Sequence, residues 1–315
     1  MATRDPEASL AIRAVWLHYA GGLTQAAVAE RLGIPSVKAH RLIARAVAEG
    51  VVKVSIDGDI VECLDLEAKL AQRFGLGHCE VAPDLGEDGL PLRTLGLAGA
   101  GYLKREIERG EHRVIGFGHG RTLAAVIRQL PRLDAKGVRF VSLLGGLTRN
   151  YAANPYDVMH RLAERTAAQA YVMPVPFFAN SVEDREVLLE QRGVREVFAM
   201  AEGASLKYVG IGTADPGAQL VSSGMIEPGE IAEIAAGGGV GELLGHFFDD
   251  AGRLLATTLT ARTLAASFGD PERQRLVAVA GGREKVAAIA AVLESRRLTG
   301  LITDERTARA LLGES

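Results

Sequence analysis

Apolar residues recur at helical spacing near the start of the chain. The segment 8–20 places them three or four positions apart and then meets Gly21 and Gly22, which predicts a helix that ends there. Its apolar positions are Leu10, Ile12, Ala14, Val15 and Leu17. A second, short helix is predicted after Thr24, whose hydroxyl can accept a hydrogen bond from a free backbone N–H group of the first turn. Gly33 then supplies the left-handed conformation that lets the chain reverse.

A third helix is predicted from Ser36 to Glu49, ending at Gly50. Its expected inward residues are Val37, Leu42, Ile43 and Val47, and its expected outward residues are Lys38, His40, Arg41 and Arg45. Between Arg31 and Lys53 there are five basic residues and one acidic residue, whereas the whole chain has a net charge of -3. A short helix, a glycine turn and a basic helix are typical of the helix-turn-helix, whose second helix lies in the major groove of DNA.

The alternative interpretation of this segment is a solvated hairpin of helices. A merely charged surface does not require the Thr24 cap, the Gly33 turn and a one-sided basic helix at this mutual spacing. We therefore predict a DNA-binding domain over residues 1–57, with basic side chains that replace counterions at the phosphates. The residues predicted to contact DNA are Thr24, Gln25, Ser36, Val37, Lys38, His40, Arg41 and Arg45.

From residue 64 onward, short apolar runs alternate with amphipathic helical stretches. Four of the runs are RVIGFG, VRFVSLL, RLVAVAGG and TGLITD. This alternation predicts an α/β domain with a mostly parallel sheet over residues 58–315. The segments 66–76 and 93–110 are predicted to be helices, and the turn sequence DGD near Ile56–Asp59 marks the predicted domain boundary.

Ligands of open α/β sheets bind beyond the carboxyl ends of the strands. The segment VIGFGHGRTLAAV has this position, with Gly116, Gly118 and Gly120 ahead of a helix predicted to begin near Arg121 or Thr122. The free N–H groups of such a helix attract an anion or a polarised hydroxyl. A packing requirement for glycine is the alternative, and NAD binding is a weaker one because the dinucleotide fingerprint is incomplete.

Other polar or glycine residues follow predicted strands and are candidates for the same rim. They are Gly145, the segment Gly210–Asp215, Glu242, Asp249, Lys285 and Asp304. Each has a plain alternative: Lys285 as an exposed first-turn lysine, Glu242 and Asp249 as turn acids, and Asp304 as a helix cap. His119 can likewise be a turn residue. Only their joint occurrence favours a ligand site.

Composition adds three constraints. With 48% hydrophobic and 24% charged residues, the chain resembles ordinary globular proteins, and a DNA site needs its positive charge gathered locally. Cys63 and Cys79 lack metal-ligand spacing, so neither a metal site nor a disulfide is predicted. The sequence shows no signal region and no apolar run of membrane-spanning length, which predicts a cytoplasmic protein.

Several stretches together resemble the SorC-type, DeoR-like sugar-binding family of bacterial transcriptional regulators. They are YAGGLTQAAVAERLGIPSVKAHRLIARAVAEGVVKVSI, GFGHGRTL, GVGELLGHFFDDAG and VAVAGGREKVAAIAAVLESRRLTGLITDERTARALL, and they span nearly the whole chain. The resemblance implies an extended segment at Val51–Ile56 and a larger domain similar in fold to sugar-phosphate isomerases and acyl-CoA transferases. It also implies a tetramer. The effector contacts that it and the rim pattern imply are Gly116, Gly118, His119, Gly120, Arg121, Thr122, Gly145, Glu242, Asp249 and Lys285.

The sequence departs from the family pattern at three places. Pro35 stands where the family carries a capping serine, so either Ser36 caps the third helix or Pro35 occupies its first turn. Glu242 replaces a more usual aspartate. Leu143 and Leu144 stand where phosphosugar-responsive members carry a basic residue, which leaves an uncharged sugar or polyol such as erythritol open beside a sugar phosphate.

We therefore expect a regulator, more specifically a repressor, of a carbohydrate or polyol catabolic operon. Its expected partners are double-stranded operator DNA, a small sugar, polyol or sugar-phosphate effector, and further copies of itself in a dimer or tetramer. The segments 10–19 and 66–74 are candidate contact surfaces between copies, with ordinary core as the alternative. No catalysis, cofactor, metal or membrane contact is expected. The rival hypothesis is an enzyme of the sugar-phosphate isomerase type, with Glu242, Asp249 or His119 as acid or base.

Overall fold

The structure is a computed structural model that describes residues 6–48, 51–52, 61–148, 152, 154 and 156–314. The chain divides into two compact units, Met1–Gly58 and Asp59–Ser315. The turn near Ile56–Asp59 and most of the extended segment Val51–Ile56 lie outside the described residues.

The first unit is helical. Helix α1 spans Pro6–Val15 and continues as a π-helical turn, Trp16–Ala20; α2 spans Gln25–Leu32, and α3 spans Ser36–Ala48. The Thr24 hydroxyl accepts a hydrogen bond from the backbone N–H of Ala27 at 3.2 Å, and Gly33 ends α2 with φ of 64°. Both predictions, the cap and the left-handed turn, are confirmed.

The start of α3 settles the question that Pro35 raised. The carbonyl of Pro35 accepts hydrogen bonds from the N–H groups of Lys38 at 2.9 Å and Ala39 at 3.1 Å. The helix therefore begins at Ser36, directly after Pro35, and Ser36 is its first residue rather than its cap.

The inward face of α3 differs from the prediction at Val37, which is 80% exposed. The prediction of an inward Val37 was wrong. Ala39 is the residue that faces the core, and because Val37 lies about 200° away from it around the helix, Val37 points to the opposite side. Small alanines fill much of this core and let the three helices approach closely. Its buried members are Ala11, Ala14, Val28, Ala29, Ala39, Leu42 and Ile43.

The second unit alternates helices and strands along the chain. Its helices are α4 (Val61–Phe74), α5 (Leu92–Arg109), α6 (Arg121–Gln129), α7 (Met159–Thr166), α8 (Val182–Glu190), α9 (Arg192–Glu202), α10 (Gln219–Ser222), α11 (Pro228–Ala236), α12 (Val286–Glu294) and α13 (Glu305–Leu312). Its strands are β1 (His78–Ala82), β2 (Val114–Phe117), β3 (Arg139–Ser142), β4 (Gln169–Tyr171), β5 (Leu206–Val209), β6 (Gly212–Thr213), β7 (Gly241–Leu243), β8 (His246–Phe248), β9 (Arg275–Val279) and β10 (Gly300–Asp304).

Among the described residues, seven strands form one sheet in the order β1-β10-β9-β5-β2-β3-β4. Every neighbouring pair in it is parallel, which confirms the predicted fold class. The described chain also forms a small antiparallel sheet, β6-β7-β8, that the sequence pattern did not predict. Strand β4 stops at Tyr171, three residues before Pro174, and proline cannot donate a ladder hydrogen bond.

Helices cover both faces of the large sheet. On one face, Leu66, Leu70 and Phe74 of α4 are buried in the larger core cluster. This packing accounts for the apolar positions of segment 66–74, so they belong to the core of the unit. On the other face, α5 and α6 pack over Phe117, Phe140 and other apolar residues of the strands.

The topology brings two loops together. Strands β2 and β5 are adjacent and parallel, with Phe117 opposite Tyr208, so their carboxyl ends meet at one edge of the sheet. The backbone N–H of Gly118 donates to the carbonyl of Tyr208 at 2.9 Å. The loops that follow the two strands therefore start side by side.

Candidate functional site

A cavity of about 70 Å³ lies beyond the carboxyl ends of β2 and β5. About 10–15 Å³ is enough for one water molecule, so the space suits a few waters or one small polar molecule. Many of the described residues that line it come from the loops after these strands, from the small sheet and from the turn before α12, and others come from the segments after β3 and β4 and from α10. Seven of the residues predicted from sequence line this cavity: Gly118, His119, Gly120, Arg121, Thr122, Glu242 and Lys285.

The loop after β2 turns sharply into α6. Gly120 has φ of 124° and precedes the first residue of that helix; side chains rarely tolerate this conformation, so the position favours glycine. The turn places Thr122, which is buried, and Arg121 in the first turn of α6. The start of this helix consequently faces the cavity, where the backbone N–H of Arg121 donates to Gln219 Oε1 at 3.5 Å.

His119 is held by an amide. Its Nδ1 lies 2.7 Å from Nδ2 of Asn154, and its ring packs edge-on against Phe177 at a centroid distance of 5.3 Å. Burial lowers the pKa of His119 to about 4, because a desolvated imidazole is less stable in its charged form. His119 is therefore neutral at pH 7.

Glu242 brings a buried carboxyl group to the cavity wall. Its Oε1 accepts a hydrogen bond from the N–H of Gly245 at 2.6 Å. Burial raises the pKa of this carboxyl to about 7, against the opposing effects of that hydrogen bond and of the Lys285 charge. On β6, a Cβ atom at Gly212 would lie 2.4 Å from Glu242 Oε2, so glycine makes room for the carboxyl group.

Lys285 and Arg121 bring positive charge to the same cavity. Lys285 Nζ donates to the carbonyl of Ile211 at 2.6 Å, and Arg121 Nε donates to Gln219 Oε1 at 3.2 Å. Burial, and then the Arg121 charge, lower the pKa of Lys285 to about 8. Lys285 lies in the 3-10 turn Arg283–Lys285 and is half-buried. The structure therefore does not support the alternative of an exposed lysine in the first turn of a helix.

Three of the predicted effector contacts lie elsewhere. Gly116 is inside β2, where a Cβ atom would lie 2.3 Å from Leu143, and a Cβ at Gly145 would lie 2.1 Å from the carbonyl of Pro176. Asp249 closes a turn and accepts hydrogen bonds from the N–H groups of Ala251 and Arg253. These bonds and the Arg253 side chain lower the pKa of Asp249, the Arg253 backbone bond most of all. Packing and turn formation account for all three.

Several cavity residues were absent from the sequence predictions. The sequence identifies the segment Gly210–Asp215 only as one of several candidate rims after strands, and four of its residues, Gly210, Ile211, Gly212 and Thr213, line the cavity. Asn154, Phe177, Gln219 and Ser223 also line it, and no periodicity or spacing identifies them. They reach the site from distant parts of the chain.

The predicted DNA contacts lie on α2 and α3 of the first unit. Oε1 of Gln25 accepts a hydrogen bond from His40 Nδ1 at 2.8 Å, which joins the two helices at their exposed side. The side chains of Arg41 and Arg45 lie 3.8 Å and 3.9 Å from Glu7, and that of Arg41 is 71% exposed. Such exposed ion pairs are weak, so a phosphate can compete for the arginines.

Within the described part of the chain, no group of three or more His, Cys, Asp or Glu side chains is arranged to hold a metal ion. No described helix combines the length and apolar character needed to cross a membrane.

Known proteins resemble this chain over most of its length. Residues 58–313 match the family described as "Putative sugar-binding domain". The erythritol catabolism regulatory protein EryD of Brucella abortus (strain 2308) is 66% identical over 310 residues, which cover 98% of each chain. The transcriptional regulator LsrR of Klebsiella pneumoniae is 35% identical over 97% of this chain and 93% of that protein.

A solved structure matches over the whole length. The full-length sorbitol operon regulator SorC from Klebsiella pneumoniae superimposes with a TM-score of 0.68 at 26% sequence identity, and the match covers 98% of this chain and 100% of that one. The similarity therefore includes the helical first unit as well as the α/β unit.

Proposed function

The chain belongs to the SorC-like family of transcriptional regulators with a sugar-binding domain, and we propose that it represses a polyol catabolic operon until a small effector enters the cavity. The observation that carries this proposal is a small cavity beyond the carboxyl ends of β2 and β5, lined by charged, polar and apolar side chains, in the same chain as a capped helix-turn-helix. Effector binding acts by stabilising one conformation of the regulator over another. We place this action in the cytoplasm, with the operator DNA.

We propose an uncharged polyol as the effector, with erythritol as the first candidate. The 66% identical relative is named for erythritol catabolism, and the cavity volume of about 70 Å³ suits a small molecule. Leu144 adds an apolar wall, and the two cationic side chains already donate to oxygen atoms of the protein. Ionised Glu242 would repel a phosphate in this confined space.

For DNA recognition, we propose that α3 lies in the major groove. Val37, His40 and Arg41 are exposed on it, and Ser36 and Lys38 lie in its first turn. Thr24 and Gln25 stand at the start of α2, and Arg45 completes the basic side. Because recognition helices meet successive grooves about one helical turn apart, we propose that the protein binds as a dimer or a tetramer.

The second candidate function is an isomerase-type enzyme, and one observation favours it. Glu242 is the only carboxylate among the described residues that line the cavity, and its pKa of about 7 suits a general base at neutral pH. We nevertheless propose a non-catalytic sensor, since the similar proteins are named as transcriptional regulators.

Calorimetric titration of the full chain tests the effector proposal. Erythritol, erythritol 4-phosphate and sorbitol are titrated separately, and the same samples are then analysed for new products. We expect saturable binding of erythritol, weaker binding of the phosphate and no turnover. Conversion of erythritol 4-phosphate would favour the enzyme, and no binding of any of the three would contradict the proposed effector class.

A further inference from the structure

We propose that Asn154 is a positioning residue of the cavity: its side-chain amide fixes the tautomer of His119, so that the site offers a neutral N–H donor to an oxygen atom of the effector. The inference rests on the proposed sensing function of the cavity. It assigns a role to a residue that no sequence pattern identified.

The hydrogen bonds of Asn154 determine which way its amide points. Its Oδ1 accepts from the backbone N–H of Tyr156 at 3.0 Å, so its Nδ2 is the atom 2.7 Å from His119 Nδ1. An amide nitrogen can only donate. Nδ1 of His119 must therefore be the acceptor, and in the neutral ring the proton is on Nε2.

The backbone holds Asn154 in place for this contact. Its N–H donates to the carbonyl of Gly146 at 3.3 Å, and its own carbonyl accepts from the N–H of Asp157 at 3.1 Å. The residue is 5% exposed. Asn154 is thus anchored to the segment that follows β3, and its amide is presented to the loop that follows β2.

The other ring nitrogen of His119 is left for a ligand. Nε2 has no hydrogen-bond partner among the described residues, and His119 lines the cavity. The edge-on contact with Phe177 fixes the plane of the ring. The low pKa of about 4 keeps the ring neutral, so Nε2–H donates to a hydroxyl oxygen without adding a charge that would favour phosphate.

Replacement of the amide by a carboxylate reverses this arrangement. Asn154→Asp has nearly the same shape, but a carboxylate only accepts hydrogen bonds at neutral pH. The proton then moves to Nδ1, and Nε2 either becomes an acceptor or shares a full positive charge with Nδ1. In each case the neutral Nε2–H donor is lost.

Nitrogen NMR of the full chain, labelled with ¹⁵N-histidine, measures the tautomer without any ligand. The His119 signals are assigned by their loss in His119→Gln. We expect Nε2 to be protonated and Nδ1 unprotonated at pH 7, and Asn154→Asp to protonate Nδ1. A proton on Nδ1 in the parent chain, or unchanged signals in Asn154→Asp, would overturn the inference.

Erythritol titration then tests the consequence for binding. We expect Asn154→Asp to weaken erythritol binding at least tenfold, with DNA affinity in the absence of effector unchanged. The matched control is Asn180→Asp, which adds the same charge at an exposed residue that does not line the cavity. In a His119→Phe background, whose ring has neither a hydrogen-bond donor nor an acceptor, Asn154→Asp should change the affinity less than threefold.

The outcomes separate this inference from the proposed function. Equal losses in both backgrounds would show that Asn154 acts on the ligand or on the fold, and not through His119. If erythritol does not bind even the parent chain, the proposed effector fails, and the NMR result still decides whether Asn154 sets the tautomer.

Discussion

At the scale of single residues, the cavity holds two opposed charges that burial disfavours. The pKa of Glu242 is raised to about 7 and that of Lys285 is lowered to about 8, in both cases mainly by burial. Each group is less stable in its charged form than it would be in water. Buried groups whose pKa is shifted in this way are typical of binding and catalytic sites.

The raised pKa of Glu242 makes stability depend on pH. The folded chain holds the proton more tightly than the unfolded chain, so stability falls as the pH rises from about 4.5 to about 7. At about 1.4 kcal/mol for each pH unit of that window, the cost at pH 8 is about 3 kcal/mol. We predict that Glu242→Gln removes this cost and unfolds at a higher temperature than the parent chain at pH 8, but not at pH 4.

Calorimetric unfolding at the two pH values measures the difference. Glu294→Gln is the matched control, because Glu294 is an exposed glutamate at the end of α12. An equal difference between Glu242→Gln and the parent at pH 4 and pH 8 would show that the Glu242 carboxyl is not protonated more strongly in the folded chain.

Lys285 is predicted to matter for sensing and not for DNA binding. Lys285→Met keeps the length of the side chain but removes the donor that contacts the Ile211 carbonyl. We expect erythritol binding to weaken at least tenfold in calorimetry, and DNA affinity without effector to stay within twofold. Lys104→Met, at an exposed lysine of α5, should change neither. Full erythritol affinity in Lys285→Met would remove this residue from the site.

At the scale of secondary-structure elements, the geometry of the helix-turn-helix depends on how α2 ends. Gly33 has φ of 64°, and a Cβ atom there would meet nothing within 4 Å. Gly33→Ala therefore adds backbone strain of about 1–2 kcal/mol without a clash. We predict faster hydrogen exchange of the amides in α2 and α3, and weaker DNA binding.

The control for this substitution is Gly137→Ala. Gly137 also has open space around its missing Cβ, but it lies in the second unit and has no positive φ. Its exchange pattern in α2 and α3 should match that of the parent chain. Unchanged exchange in Gly33→Ala would mean that the turn does not depend on a left-handed glycine.

The proposed contact of α3 with DNA gives a prediction about the salt dependence of binding. The Arg41 side chain is exposed, and its Nη2 lies 3.8 Å from Glu7 Oε1, which is a long distance for an ion pair. If it neutralises one phosphate, Arg41→Ala lowers DNA affinity and reduces the slope of log K against log salt by about 0.9. Fluorescence anisotropy over a salt series measures both quantities, with Arg192→Ala, at an exposed arginine of α9, as the control. An unchanged slope would show that this side of α3 does not face DNA.

Local sequence patterns predict the structural features that depend on residues close together in the sequence. The Thr24 cap, the Gly33 turn and the alternation of strands and helices each depend on residues a few positions apart, and all are present. Val37 was placed inward because an apolar residue was expected in the core, whereas alanines at 39 and 46 occupy that face.

Features that depend on distant residues could not be predicted in the same way. The antiparallel sheet of β6, β7 and β8 consists of strands of two or three residues, too short to show an alternating pattern. Asn154 reaches His119 across 35 positions of sequence. Gly116 and Gly145 were expected at the ligand because glycine after a strand is typical of binding loops, but here each permits a close packing contact.

At the scale of the whole molecule, the proposed function requires that one chain combine a DNA-binding unit and a ligand-binding unit. Regulation requires that the effector and the operator prefer different conformations, because a ligand with equal affinity for both states changes nothing. Thermodynamic linkage then makes the coupling reciprocal: operator DNA must weaken effector binding by the factor by which effector weakens DNA binding.

The most direct test of this account is the affinity of the full chain for a fluorescent duplex from the DNA upstream of its own gene, measured by anisotropy at fixed salt with and without erythritol. The account predicts tight, salt-dependent binding that erythritol weakens at least tenfold in the parent chain and not in Lys285→Met. Binding that erythritol leaves unchanged in the parent chain, or the same weakening in Lys285→Met, would contradict it.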